Sequence, residues 1–331
     1  MRAVVVTEKG APEVLQVQER PEPSPGPGEV GIDVAAAGIN FADVMARLGL
    51  YPDSPDLPAV VGYEVAGTVS SLGAGVDGLE VGDRVIAGTR FGGYAERVAA
   101  KAEAVIKLPE ALSFEQGAAI PVNYLTAYLG LVRYGSLHEG ERVLLHAAAG
   151  GVGIAATQIA KRKGAEVFGT ASPSKHEAIR GFGVDRALDY TKRGWEKGLP
   201  KMDLIMDALG GASFRRSYGL LRPGGRLVCF GASGVVSGNE RNLVAAVRTA
   251  LRMPRFNLIK QMSESKTVIG LNSLTLWDEF GFGPYVSPLK EMLADGTIQP
   301  VVAESFSFED APAAHRYISE RRNVGKVVLT P

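Results

Sequence analysis

Val143, Leu144 and Leu145 lead through His146 and Ala147 into Ala148-Ala149-Gly150-Gly151-Val152-Gly153, after which apolar residues recur at Ile154, Ala155, Ile159 and Ala160. A short apolar run, a turn of small residues and then helical spacing confine this stretch to a strand–turn–helix unit. Small side chains at the turn let an anion approach the backbone, and the free N–H groups at the helix start favour its charge. In the frame G-x-G-x-x-G, Ala148 takes the first position and Gly150 and Gly153 the other two. The bare pattern is weak. Its place between a strand and a helix favours the pyrophosphate of a dinucleotide over a plain strand–helix turn.

Strands and helices alternate on either side of this unit. Strands are expected over 143–147, 166–171, 186–190, 202–207 and 226–230, with helices to 163, over 174–182 and to 221 between them. Such alternation gives right-handed crossovers and a doubly wound parallel sheet, an α/β fold. Residues 1–110 have a different texture: short strands at 2–8, 14–19, 29–38, 65–71, 83–87, 94–99 and 105–108, separated by turn residues, with one short helix at 41–48. A helical stretch follows from Ser113 to about Tyr134, broken near Pro121. At 331 residues the chain is longer than one core supports, so two domains are expected.

The second strand of the series sharpens the cofactor reading. An acid at its end would hold the ribose diol of NAD, whereas Ala171-Ser172-Pro173-Ser174-Lys175 offers a hydroxyl and a lysine suited to a 2′-phosphate. NADPH is therefore expected, against the plainer alternative that Ser172 caps the next helix and Lys175 lies in solvent.

Other functions are disfavoured by what is scarce. Lys+Arg and Asp+Glu both total 36, so no global field recruits nucleic acid or an anionic membrane. The start of the chain has no signal-peptide pattern, and no apolar run reaches membrane-spanning length. A lone cysteine, Cys229, allows no intramolecular disulfide and suits a reducing cytoplasm. With four scattered histidines (His138, His146, His176 and His315) it also makes no familiar zinc site and no Ser/His/Asp triad. His146 is expected to be packed rather than to bind metal.

Several blocks then carry a resemblance over essentially the whole chain: Ala37-Gly38-Ile39-Asn40-Phe41-Ala42-Asp43, Val61-Gly62-Tyr63-Glu64-Val65-Ala66-Gly67, Gly82-Asp83-Arg84-Val85, Gly92-Gly93-Tyr94-Ala95-Glu96, the turn at 148–153, and Asn323-Val324-Gly325-Lys326-Val327-Val328-Leu329. The chain resembles the zinc-free quinone oxidoreductase branch of the medium-chain dehydrogenase/reductase superfamily. Within it, the segments 40–47, 169–177 and 241–243 are most similar to the synaptic vesicle amine transport protein homologues. The resemblance implies a GroES-like β-rich catalytic domain (1–124 with 297–331) around a Rossmann domain (125–296), and homodimers that reduce quinones or enones with NADPH. It places Asn40 and Tyr51 beside the nicotinamide and substrate, and Thr126 near the carboxamide. It puts Gly151, Val152 and Gly153 on the pyrophosphate, with Thr170, Ser172, Lys175 and Tyr190 around the adenosine phosphate. Phe230, Gly231, Ala232, Ser233, Leu271, Asn272 and Asn323 would close over the cofactor. Where zinc-bearing relatives carry Cys and His ligands, this chain has Ile39-Asn40 and Gly62-Tyr63-Glu64. Tyr63 is not a fixed type in the family and receives no role.

Asn40 and Tyr51 are the expected catalytic donors, since neutral N–H and O–H groups can steady charge on an acceptor oxygen. Asp43 could relay a proton, but an acid that steadies a helix start is the preferred reading. A rival class rests on residues 239–266, where Arg241, Arg248, Arg252, Arg255, Lys260 and Lys266 interleave with apolar residues. That segment could touch lipid, but the preferred expectation is a helix packed over the substrate cleft. The apolar run 267–271 is expected to be an edge strand that joins two subunits.

Overall fold

The computed structural model describes residues 1–236, 238–240 and 243–331, and for residues 243, 245, 246 and 248 the backbone alone. Six parallel strands form one sheet in the spatial order Arg186–Asp189, Glu166–Ala171, Arg142–Leu145, Met202–Asp207, Leu221–Cys229, Thr267–Gly270. Helices cover both faces, so a central strand has no solvent side: Met202–Asp207 is buried throughout, its two aspartates included. The buried acids of that strand are satisfied locally. Asp207 accepts from Ser213 Oγ and Ser217 Oγ, both at 2.7 Å, and from the Leu209 N–H at 2.8 Å. The chain starts in the middle of this sheet, winds outward to Arg186–Asp189, then crosses back to Met202–Asp207. The reversal leaves a crevice at the carboxyl ends of Arg142–Leu145 and Met202–Asp207, the place where such sheets bind ligands.

A second sheet runs Val302–Ser307, Lys326–Thr330, Glu29–Ile39, Glu64–Leu72, Arg84–Gly88, Val105–Lys107, with Arg97–Lys101 also on Glu29–Ile39. Register shifts at Gly31/Ile32 and Val34/Ala36 bend Glu29–Ile39, which lets one long strand serve several partners. Its last residues pair with the end of the chain, Ile39 opposite Val327 and Gly38 opposite Val328. Three shorter strands, Leu15–Glu19, Arg2–Val6 and Ala59–Val60, attach at its flank through an Ala3–Ala95 bridge. The fold is thus a GroES-like sheet unit joined to a Rossmann-like parallel sheet.

The stretch expected to be a broken helix is three pieces, Phe114–Gly117, Pro121–Tyr128 and a π-turn at Leu129–Arg133. Ser113 and Gln116 exchange the two bonds of a capping box, at 3.2 and 2.9 Å. Proline at the first helical position of Pro121–Tyr128 explains the break, because it lacks the N–H that an unbroken helix would need there. The apolar face of Pro121–Tyr128 joins one buried cluster that reaches from Ala36, Ala66 and Ile86 to Val143, Leu145 and Met206, so a shared core fixes the two sheets to each other.

Residues 239–266 depart from expectation. They hold two helices, Leu243–Leu251 and Leu258–Glu264, and no described residue of the segment lines the clefts of the next section. Instead Val244, Leu251, Leu258, Ile259 and Met262 are 75–82% exposed. Arg241 and Asn242 lie outside the described residues, as do the side chains of Leu243 and Arg248. Among the described residues no helix is long and apolar enough to cross a membrane.

Candidate active site and cofactor groove

The glycine turn after Arg142–Leu145 is shaped by contact. A Cβ on Gly153 would lie 2.4 Å from the Ala147 carbonyl oxygen, and one on Gly151 would lie 2.4 Å from Asn123 Nδ2. Ala147 adopts φ 54°, a left-handed backbone unusual for alanine, so local strain sits at the turn itself. Gly150 precedes the helix Gly151–Arg162 in extended conformation, leaving the first helical N–H groups facing the crevice. Gly325 N–H donates to Ala149 O at 2.9 Å, tying the returning tail to this turn.

A groove of ≈ 280 Å³ opens here, and its wall includes Asn40, Gly150, Gly151, Val152, Gly153, Thr170, Ser172, Lys175, Tyr190, Phe230, Ser233 and Asn323. The remaining candidates stand off the wall, each for a local reason. Ala148 is buried under the turn and packs toward Gly169. Thr126 is buried in its helix, and Leu271 joins the core beside Gly130. Gly231 and Ala232 sit in the loop behind Ala208 and Gly210. Asn272 accepts from Leu274 N–H and donates to Asp53 Oδ2, both at 3.0 Å, so its side chain caps the helix Ser273–Phe280. His146 is packed as expected, with Nε2 3.0 Å from Ser217 Oγ and Nδ1 3.3 Å from Thr170 Oγ1, and burial lowers its pKa against the pull of Asp207.

At the outer end of the groove the strand Glu166–Ala171 runs into Ser172 without a carboxylate. Lys175 Nζ donates to the carbonyls of Arg321 and Asn323, both at 2.6 Å, so this lysine is no free surface charge. Partial burial, and then the neighbouring Arg321, lower its pKa. Arg321 is itself on the groove wall and was not anticipated from sequence. Its backbone is left-handed at φ 56°, a turn signal that no residue-type pattern exposes.

A second pocket, ≈ 60 Å³, meets the groove at Asn40. Tyr51, Tyr63, Leu125, Leu274, Trp277 and Phe282 give it an aromatic and apolar wall. Tyr63 stands edge-on to Tyr51 with centroids 6.4 Å apart and lies 5.3 Å from Phe91, so a residue given no role from sequence shapes the pocket. Burial, and then Asp53 and Asp43, push the Tyr51 phenol up to about 12, which keeps it a neutral donor. Gly88 lets the indole in, since a Cβ there would lie 2.4 Å from the Trp277 ring.

Polar side chains crowd beneath Asn40. Its Nδ2 donates to Glu64 Oε1 at 3.0 Å, and Lys326 Nζ donates to its Oδ1 at 2.7 Å. Lys326 also pairs directly with Glu64, whose other oxygen accepts from Val122 N–H at 2.7 Å. Asp43 accepts from Asn40 N–H at 2.7 Å and Gly62 N–H at 3.0 Å, the helix-start role preferred from sequence. Complete burial nevertheless raises its pKa to about 7, against those bonds and the Lys326 charge.

Comparison with known proteins follows from this geometry. Residues 26–110 match the alcohol dehydrogenase GroES-like domain, and residues 182–329 match the zinc-binding dehydrogenase family. The human synaptic vesicle membrane protein VAT-1 homolog is 38% identical over 340 residues, covering 100% of this chain and 86% of that protein. The chain belongs to the medium-chain dehydrogenase/reductase superfamily. A mycobacterial structure complexed with NADPH superposes with TM-score 0.86 at 32% identity, covering 100% of both chains. A Pseudomonas syringae pv. Tomato quinone oxidoreductase does so with TM-score 0.85 at 31% identity, again over 100% of both chains.

Zinc appears in the description of one matched family, and the donor set here does not fit it. The position beneath Asn40 holds an amide, an ammonium and a carboxylate already engaged by both, with no cysteine or histidine among them. Among the described residues no three His, Cys, Asp or Glu side chains gather to hold a metal. Cys229 closes the fifth strand of the parallel sheet, where burial pushes its thiol up to about 12.

Proposed function

We propose that this chain is a zinc-independent reductase of quinones or enones that uses NADPH. One observation carries the reading: a groove that runs from the glycine turn to Ser172 and an aromatic pocket share a wall at Asn40. Ser172, Lys175 and Arg321 at the groove's far end support NADPH over NADH, as does the likeness to a structure that holds NADPH. When bound, NADPH supplies the hydride. The flat wall of Tyr51, Tyr63, Trp277 and Phe282 would hold a planar acceptor and exclude water from it. Tyr51, neutral at working pH, would donate to the acceptor oxygen as charge develops there. Asn40 would do so with the one amide hydrogen left free by Glu64, and solvent can return the proton. Loss of nicotinamide absorbance with a panel of quinones and enones tests the reading. A chain that binds NADPH yet reduces none of them would overturn it.

The same reading divides the chain into 1–124 with 297–331 and 125–296, and makes the enzyme a cytoplasmic homodimer. Among the described residues Thr267–Gly270 pairs on one side only, with Leu221–Cys229, and the exposed Leu258, Ile259 and Met262 lie just before it in the chain. A second copy laid along that edge would cover both features. Light scattering that gives a monomer mass at micromolar concentration would refute the dimer. The exposed Val244, Val247 and Leu251 also favour a lipid-facing reading, and co-sedimentation with anionic vesicles separates it from the dimer.

A further inference from the structure

We propose that Glu64 and Lys326 are a positioning pair that sets the orientation of the Asn40 amide at the junction of groove and pocket. The proposal rests on the reductase reading above and adds to it the origin of the donor's direction.

Four segments bring the parts together. Asn40 follows Glu29–Ile39 and caps Phe41–Arg47, Glu64 opens Glu64–Leu72, Lys326 opens Lys326–Thr330, and Val122 lies at the start of Pro121–Tyr128. Their side chains leave the amide no freedom. An ammonium can only donate and an ionised carboxylate can only accept, so Lys326 must meet the amide oxygen and Glu64 the amide nitrogen. A flipped amide would set oxygen against carboxylate and N–H against ammonium, losing both bonds. One Nδ2 hydrogen is on Glu64; the other remains on a residue that walls both cavities.

The pair is built in rather than incidental. The Lys326 and Glu64 side chains are 3% and 0% exposed, and each holds the other's charge away from water. Gly38 supplies the space: a Cβ there would lie 2.7 Å from Glu64 Oε1 and 2.7 Å from Lys326 Cε. A buried ion pair is a poor device for stability alone, and fixing one arrangement of polar groups is a use to which it is better suited. Here the arrangement it fixes belongs to the residue shared by the two cavities.

The test removes both charges together, so that neither is stranded. Glu64→Gln/Lys326→Met is made with Asn40 intact and again with Asn40→Ala, and single-turnover NADPH oxidation by 1,4-benzoquinone is followed alongside fluorescence titration of NADPH. With Asn40 present, loss of the pair should slow hydride transfer on the order of tenfold, because direction at a reacting centre matters on that scale. In the Asn40→Ala background the same change should matter less than about twofold, since its effect passes through that amide. Equal losses in both backgrounds, or no loss with Asn40 present, would overturn the proposal. Should the double variant not fold, Lys326→Arg keeps the charge but moves the donor, and an unaltered rate there would also overturn it. An independent readout needs no turnover: in cofactor-free protein one proton of the Asn40 side-chain amide should be shifted downfield and slow to exchange, and both properties should weaken in Glu64→Gln/Lys326→Met. An unchanged amide spectrum defeats the positioning role, whereas failure of wild type to reduce any quinone or enone defeats only the reductase reading.

Discussion

Lys175→Ala separates the contact that the structure shows for this ammonium from the 2′-phosphate contact proposed for it. Nζ carries three hydrogens, and two of them lie on the carbonyls of Arg321 and Asn323. The third can serve a 2′-phosphate, the only part of NADPH that NADH lacks. A hydrogen bond to a charged group contributes about 1.5–3 kcal/mol, roughly a 10- to 150-fold change in affinity. Release of the 321–323 loop weakens both cofactors alike, so the ratio of dissociation constants is the informative quantity. We expect fluorescence titration at fixed salt to show NADPH weakened at least about tenfold more than NADH. Because burial and Arg321 lower the lysine's pKa, the wild-type preference for NADPH should fade at a lower pH than an ordinary lysine would allow. Equal weakening of both cofactors would show that Lys175 only anchors the loop and that the phosphate is read elsewhere.

Three further outcomes follow from the site. Tyr51→Phe should lower kcat more than it raises KM, by less than the roughly 10²–10³-fold seen where one such donor dominates; full kcat in steady-state assays would reduce the ring to a packing element. The Asp43 pKa is about 7 in the fold against the 3.8 of an ordinary aspartate, so between these values the folded chain holds a proton that the unfolded chain has released. Its contribution to stability is therefore present at acid pH and lost as pH rises through about 7, on the order of a few kcal/mol. Asp43→Asn should flatten the fall in Tm between roughly pH 4 and 7, and an unchanged slope would place the titrating group elsewhere. Active protein should contain no stoichiometric zinc by elemental analysis and keep its rate in EDTA, whereas rate loss that zinc restores would return a metal to the mechanism.

Residues 142–230 were legible because each local signal there agrees with the next: an apolar strand, small turn residues, then helical spacing. The nucleotide turn and the absence of an acid after Ala171 could be read directly. Glu64 and Lys326 could not be paired by spacing, since they lie 262 positions apart and meet only through the register that sets Val327 against Ile39. Trp277 and Phe282 escaped notice for a different reason. Trp277 lies in Ser273–Phe280 and Phe282 stands at the N-cap of Gly283–Ala294, with Gly281 between the helices and Pro288 inside the second, signals that read as loop. The 239–266 segment misled because an amphipathic pattern tells that one face wants cover without telling what covers it.

The pairing of Ile39 with Val327 also sets an order of events during synthesis. The long strand Glu29–Ile39 leaves the ribosome before the Rossmann-like sheet, while its neighbour Lys326–Thr330 follows only after that whole sheet. The Rossmann-like sheet needs no strand beyond Thr267–Gly270 and can complete itself first. Until Lys326–Thr330 emerges, the early strand keeps an open edge of unpaired N–H and C=O groups, the kind of surface on which nascent chains aggregate. Contacts between sequence-distant partners also form late and slowly. The floor beneath Asn40 thus closes only after the parallel sheet is complete, and loss of Lys326–Thr330 would leave that sheet intact beside an unfinished GroES-like unit.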